Sequence, residues 1–159
     1  MSRANLLLKF LLLMKPCFAL KAALVTGSTD GIGLTTAKLL AKAGYMVLLH
    51  GRDPDRIETA TNEVRKWGKQ VLSLPPADLS TIQGSRVLAQ SVQDACRTNN
   101  LQLSVLLNNA GVFSEDHVVT DDGLELTFAV NVVAPFVVSS LLLPTLSDDS
   151  RIIIASSLS

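Results

Sequence analysis

From Ala22 onward the sequence switches regularly between short apolar runs and stretches of helical period, a rhythm that few folds accommodate. The runs "AALVT" (22–26), "YMVLLH" (45–50), "QVLSLP" (70–75), "LSVLLN" (103–108) and "RIIIA" (151–155) have the length and apolar content of strands. Between them, "GIGLTTAKLLAKAG" (31–44), "DPDRIETATNEVRKWG" (53–68), "STIQGSRVLAQSVQDACRTN" (80–99) and a long stretch within 119–146 read as helices. Asp53 stands at an N-cap with Pro54 at the first helical position, and Gly44 and Gly68 close two of the helices. Strands that are apolar throughout, "RIIIA" included, read as buried on both faces. Alternating with helices, they predict a parallel sheet covered on both sides, a doubly wound α/β fold.

Length and charge bound what such a sheet can do. At 159 residues, 48% apolar and 18% charged, the chain is long enough for one domain, expected from about Lys21 to Ser159. Fourteen basic and fourteen acidic side chains cancel without forming a long block of either sign. No electrostatic footprint for nucleic acid results, and small-molecule chemistry is expected. Cys17 and Cys96 form no CxxC and the two histidines do not cluster, which argues against a metal site or a disulfide framework. Both thiols are expected free in a reducing compartment, so the localisation is read as cytoplasmic. His50 and His117 are expected at the surface or in loops. Residues 1–20, "MSRANLLLKFLLLMKPCFAL", are Leu-rich and carry only positive charges, so they are read either as a leader, organellar or membrane-associating, or as a loosely packed extension. Lys9 splits their apolar run into pieces too short to span a bilayer.

Function in a doubly wound sheet is expected at the carboxyl ends of the strands. The loop after the first strand, "TGSTDGIG", places Gly27, Gly31 and Gly33 between strand and helix. Glycine turns tightly there and admits an anion against the backbone, while the helix N-terminus supplies free N–H groups and partial positive charge. Asp30 lies in the same loop, so backbone amides must do most of the anion binding. No GK[ST] follows, which disfavours a nucleoside-triphosphate P-loop.

The segment Thr26-Gly27-Ser28-Thr29-Asp30-Gly31-Ile32-Gly33 resembles the cofactor loop of the classical short-chain dehydrogenases/reductases. Asn108-Asn109-Ala110-Gly111 resembles the NNAG motif of that family, and Asp78-Leu79 resembles its acidic-apolar pair beside the adenine. Asn131 resembles its active-site Asn, and "SRIIIASS" its fifth strand with the catalytic serine, where Ser157 aligns best, ahead of Ser156 and Ser159. The matches run in family order over about residues 22–159, and "TDDGLELTFAVN" is most similar to the retinol-dehydrogenase-like branch. The resemblance implies a Rossmann-type fold and hydride transfer between a nicotinamide and a carbonyl or alcohol, with Asn131 and Ser157 at the reacting centre. Homo-oligomers also occur in the family. Arg52 follows the second strand, where an acid would pair with the ribose 2′-hydroxyl of NAD and an Arg would accommodate the 2′-phosphate of NADP. Asp53 competes for that role, but as an N-cap it has another explanation. NADP is therefore expected rather than NAD.

Two details concern chemistry directly. Pro135, four residues after Asn131, has no N–H for the Asn131 carbonyl, so a kink is expected there, with that carbonyl left to a water. The family's general acid/base is a Tyr in Y-x-x-x-K, and the only tyrosine, Tyr45, begins the second strand and has Leu49 four residues later. The resemblance thus predicts a sheet cut short after its fifth strand, with "RIIIA" left as an uncovered apolar edge, and a chain inactive by itself. The alternative is a short product that binds nucleotide or a partner without catalysis.

Overall fold

The computed structural model describes residues 19–156, so most of the N-terminal extension, with Cys17, and the expected catalytic Ser157 lie outside the described residues. Strand β1 (Leu20–Val25) runs through the centre of a five-stranded sheet. It pairs in parallel with β2 (Met46–Leu49) on one side and β4 (Leu101–Asn108) on the other. Beyond β2 lies β3 (Val71–Ser73), and beyond β4 lies β5 (Leu146–Ile154), giving the order β3-β2-β1-β4-β5 with every pairing parallel. Chain order reverses between β1 and β4, and that junction is where a doubly wound sheet opens a crevice.

The strands are apolar because both sheet faces are covered. Helices α1 (Gly31–Lys42) and α2 (Pro54–Val64) cover one face, where Ala37, Ala41 and Val64 pack on Val47, Leu49 and Val71. Helix α3 (Ile82–Thr98) and the long helical segment after Glu125 cover the other, where Leu88, Val92, Ala134 and Val138 pack on Leu24, Leu48, Leu103 and Leu106. Neighbouring residues of β2 alternate between these two clusters, as the period of a pleated strand requires.

Boundaries differ from the sequence reading for local reasons. Helix α1 stops at Lys42 because Gly44, at φ +89°, carries the left-handed closure, with Tyr45 N–H donating to the Leu40 carbonyl. Helix α2 keeps the expected Asp53 cap, whose Oδ1 accepts from the N–H groups of Asp55 and Arg56, but its regular turns end at Val64. Within the window 119–146, where a long helical stretch is expected, residues 119–125 form a turn around Gly123 closed by the Val119–Glu125 bridge. Helical structure begins only where the Glu125 carboxylate accepts from the Thr127 and Phe128 N–H groups. The segment then runs as α4 (Leu126–Phe128), a π-helical turn (Ala129–Val133), α5 (Ala134–Leu142) and a 3-10 turn to Thr145. The irregularity expected near Asn131 is this π turn, immediately ahead of Pro135.

Strand β5 corrects one expectation. It starts at Leu146, five residues earlier than "RIIIA", and slips register between Leu103↔Leu146 and Val105↔Arg151. Its exposure is that of the uncovered apolar edge expected of a sheet cut short after its fifth strand: Ile152, Ile153 and Ile154 are 40–60% exposed, because β5 pairs only with β4 among the described residues.

Candidate functional site

A cavity of about 550 Å³ opens at the carboxyl ends of β1, β2, β3 and β4. Gly27, Thr29, Asp30, Gly31, Ile32 and Gly33 form one wall, Arg52 and Asp53 a second, Asp78 and Leu79 a third, and Asn109, Ala110 and Gly111 a fourth. Of the residues expected to hold a cofactor, only Ser28 is not part of the lining. It is fully buried behind the loop, where its Oγ donates to the His50 carbonyl (3.2 Å) and accepts from the His50 N–H (2.9 Å), so it supports the loop from within.

The loop's shape depends on its glycines. Gly27 and Gly31 sit in the left-handed region at φ +62° and +53°. A Cβ on Gly33 would run into the Gly27 carbonyl oxygen and the Asn109 amide, so α1 lies against the strand ends more closely than any other residue allows. Around Gly31 the space is open. Asp30 caps α1, its Oδ1 accepting from Gly31 N–H (2.7 Å) and its carbonyl from Leu34 N–H. The N–H groups of Ile32 and Gly33 are then the ones that helix geometry offers to an anion.

Asn109 ties this loop to β4. Its Nδ2 donates to the carbonyls of Thr26 (3.0 Å) and Gly27 (3.2 Å), while Thr26 Oγ1 accepts from the N–H groups of Asn109 and Ala110. Asn131 does not line the cavity. Its amide pairs with the backbone of Val112, Oδ1 accepting from N–H (2.9 Å) and Nδ2 donating to C=O (2.8 Å), and its side borders a neighbouring apolar groove with Phe136, Ile152 and Ile154.

Of the lining residues that the sequence did not single out, two bring polar side chains. Arg56, on the first turn of α2, reaches across the cavity mouth to pair with Asp30 (Nη2–Oδ2 3.0 Å), so the carboxylate of the anion-facing loop has a cation beside it. His50, expected in a loop or at the surface, is only 3% exposed. Its Nδ1 accepts from Gly27 N–H (3.1 Å) and its Nε2 lies 3.0 Å from the Ala77 carbonyl. Burial lowers its pKa, against smaller raising effects of the Ala77 bond and the Asp78 charge. A single His at a strand end carries no pattern that announces burial; only the three loops folding over it do. His117, by contrast, is exposed.

The fit to a dinucleotide can be judged from these features. Open space at a left-handed glycine, free helix-end amides and a neutralised acidic residue suit a pyrophosphate, and the cavity volume suits a sizeable ligand. Among the described residues no group of three or more His, Cys, Asp or Glu could hold a metal ion.

The profile of the short chain dehydrogenase family matches residues 21–159. Polyprenol dehydrogenase of Mus musculus is 36% identical over 127 residues, covering 79% of this chain and 37% of its own. Retinol dehydrogenase 13 of Homo sapiens is 35% identical over 141 residues, covering 87% of this chain and 41% of its own. The chain thus spans less than half the length of these relatives. Among solved structures, a metagenomic short-chain oxidoreductase in complex with NADP superposes with a TM-score of 0.75 at 28% identity, covering 90% of this chain and 65% of that one. The angucycline C-6 ketoreductase LanV with bound NADP gives a TM-score of 0.75 at 31% identity, covering 86% and 55%.

Proposed function

The chain belongs to the short-chain dehydrogenase/reductase family, and from that premise we propose that it binds NADP and forms the cofactor-holding part of an oxidoreductase acting on a small carbonyl or alcohol. When bound, the dinucleotide would supply the hydride donor or acceptor. The residues of this chain bind and orient it. Helix-end amides of Ile32 and Gly33 face the pyrophosphate, Asn109 and Thr26 hold the loop in register with β4, and Asp78 and Leu79 flank the adenine side. Two NADP-bound relatives of the same architecture support this reading.

NADP is favoured over NAD by the charges around the ribose end. Arg52 stands exposed in the lining with Arg56 close behind on α2, whereas the Asp53 carboxylate is committed to capping α2 and the Asp30 carboxylate is paired. The Asp53 carboxylate is thus already engaged through Oδ1, whereas a guanidinium is available for a phosphate fork. The observation that carries the proposal is this cavity, lined by the glycine loop and by Arg52 and Arg56. Titration of NADPH and NADH against the chain tests it. NADPH should bind at least about tenfold tighter, the scale of one charge-assisted bond, and Arg52→Ala should abolish the difference. Equal affinities in the unsubstituted chain would remove the NADP assignment.

Asn131 and Ser157 are proposed for the reacting centre on family resemblance, with the Asn131 amide holding the Val112 segment beside the cavity. The sole tyrosine, Tyr45, packs with Leu34 and Leu40 on the α1 side of the sheet, away from the cavity lining. An unassisted phenol near pKa 10 is in any case a poor base at neutrality. The 159 residues therefore bind cofactor without turning substrate over, the outcome shared with the alternative of a non-catalytic nucleotide-binding product.

A further inference from the structure

The histidine buried beneath the glycine loop has a specific task. We propose that His50 is a positioning residue for the cofactor loop: its Nδ1, by accepting the Gly27 N–H, fixes the start of the glycine turn in the shape that receives a pyrophosphate. The inference rests on the reading of the cavity as a dinucleotide site.

The geometry leaves one assignment of protons. An amide N–H can only donate, so the Nδ1 that faces Gly27 at 3.1 Å carries a lone pair. The ring hydrogen then sits on Nε2 and donates to the Ala77 carbonyl at 3.0 Å. One neutral imidazole thereby joins the loops after β1 and β3, while its own backbone exchanges hydrogen bonds with Ser28. The other ties on the loop act on different atoms: Asn109 takes the Thr26 and Gly27 carbonyls, and Ser28 takes the β2 backbone. His50 holds the Gly27 N–H, at the residue whose left-handed φ of +62° and close approach to Ala110 begin the turn. An imidazolium would set two N–H groups against each other at a nearly buried position.

Charged groups around the ring do not reverse this. Asp78, on the loop after β3, favours the charged ring, but burial outweighs it and the ring is held neutral. Asp30, Arg52, Asp53 and Arg56 line the same cavity, and two of these are paired with each other.

Two substitutions separate positioning from mere packing. His50→Asn keeps an acceptor near the Nδ1 position and loses the arm to Ala77. His50→Gln places its amide near Nε2 and loses the acceptor for Gly27. Fluorescence titration of NADPH against the full chain at pH 8 should find His50→Asn within about threefold of the unsubstituted chain. His50→Gln should be about tenfold or more weaker, the effect of one buried hydrogen bond left unmade, although both variants lower the thermal midpoint similarly. Equal losses in the two variants, or none, would overturn the proposal. Histidine ¹⁵N spectra of the unsubstituted chain at pH 7 provide a test without any variant. The His50 signals should show an unprotonated Nδ1 and a protonated Nε2, and the opposite assignment would overturn it. If the unsubstituted chain bound no NADPH while its spectra showed the expected tautomer, the dinucleotide reading would fall and the proposal with it.

Discussion

Gly33 and His50 define the site from opposite sides of one loop. At Gly33 the issue is space, since a methyl group would meet the Gly27 carbonyl oxygen and the Asn109 amide, both of which are fixed by other bonds. Gly33→Ala should cost about 1–3 kcal/mol in stability, as overpacking does, and should abolish NADPH binding in calorimetry, because α1 must move outward. At His50 the issue is a proton. The folded-state pKa lies below the ordinary value of 6.5, so the unfolded chain takes up its proton first as pH falls. The histidine therefore leaves stability unchanged above about pH 6.5 and lowers it progressively below that, down through the depressed folded-state value. Urea midpoints at pH 7.5, 6 and 5 should show this decline, and His50→Asn should flatten it. The glycines were legible in the sequence because backbone conformation depends on the residue itself. Buried His50 and the Arg56–Asp30 pair were not, because both depend on which loops meet.

The long helical segment shows what a single element can carry. Its stretch Leu126–Thr145 is, by length and apolar content, the one candidate among the described residues for a membrane span, and a third of its most apolar window is buried on the sheet. Proline at 135 announced a departure from regular α-geometry, and the π turn at Ala129–Val133 is the form it takes. The turn leaves Asn131 facing Val112, to which it is bonded through both amide atoms. Asn131→Ala should cost about 1–2 kcal/mol, two partly exposed hydrogen bonds, and hydrogen exchange should quicken across residues 111–118 while β1 keeps its protection. Helix α3 offers a similar test at lower stakes. Thr81 caps it by accepting from Gly84 N–H (2.9 Å), and Asp122 adds an acceptor for Ile82 N–H (2.6 Å). Thr81→Ala should cost about 1 kcal/mol by thermal melting, with NADPH affinity unchanged. The sequence reading starts this helix at Ser80 without naming a cap, and Asp122, forty residues away, lies outside any local pattern.

At the scale of the whole molecule, the sheet has one short edge and one apolar edge. Strand β3 contributes three residues, whereas β5 is nine residues long and presents Ile152, Ile153 and Ile154 to solvent beside a groove lined by Val132, Phe136 and Leu143. Exposed isoleucines on an unpaired edge recruit other strands. Light scattering of the isolated chain should show concentration-dependent association, and Ile153→Lys should reduce it without changing NADPH affinity. Turnover should likewise be absent: NADPH oxidation across a broad panel of carbonyl compounds should stay at background, and a substantial rate would refute the proposed division between cofactor binding and catalysis. The sequence alone determined the order of strands and helices and the glycine-rich turn, because apolar period and backbone freedom are properties of consecutive residues. Which serine was shut behind the loop and which histidine was enclosed beneath it were decided only by the tertiary structure. Burial and hydrogen-bond partners belong to segments that are distant in the chain and adjacent only after the sheet has closed over them.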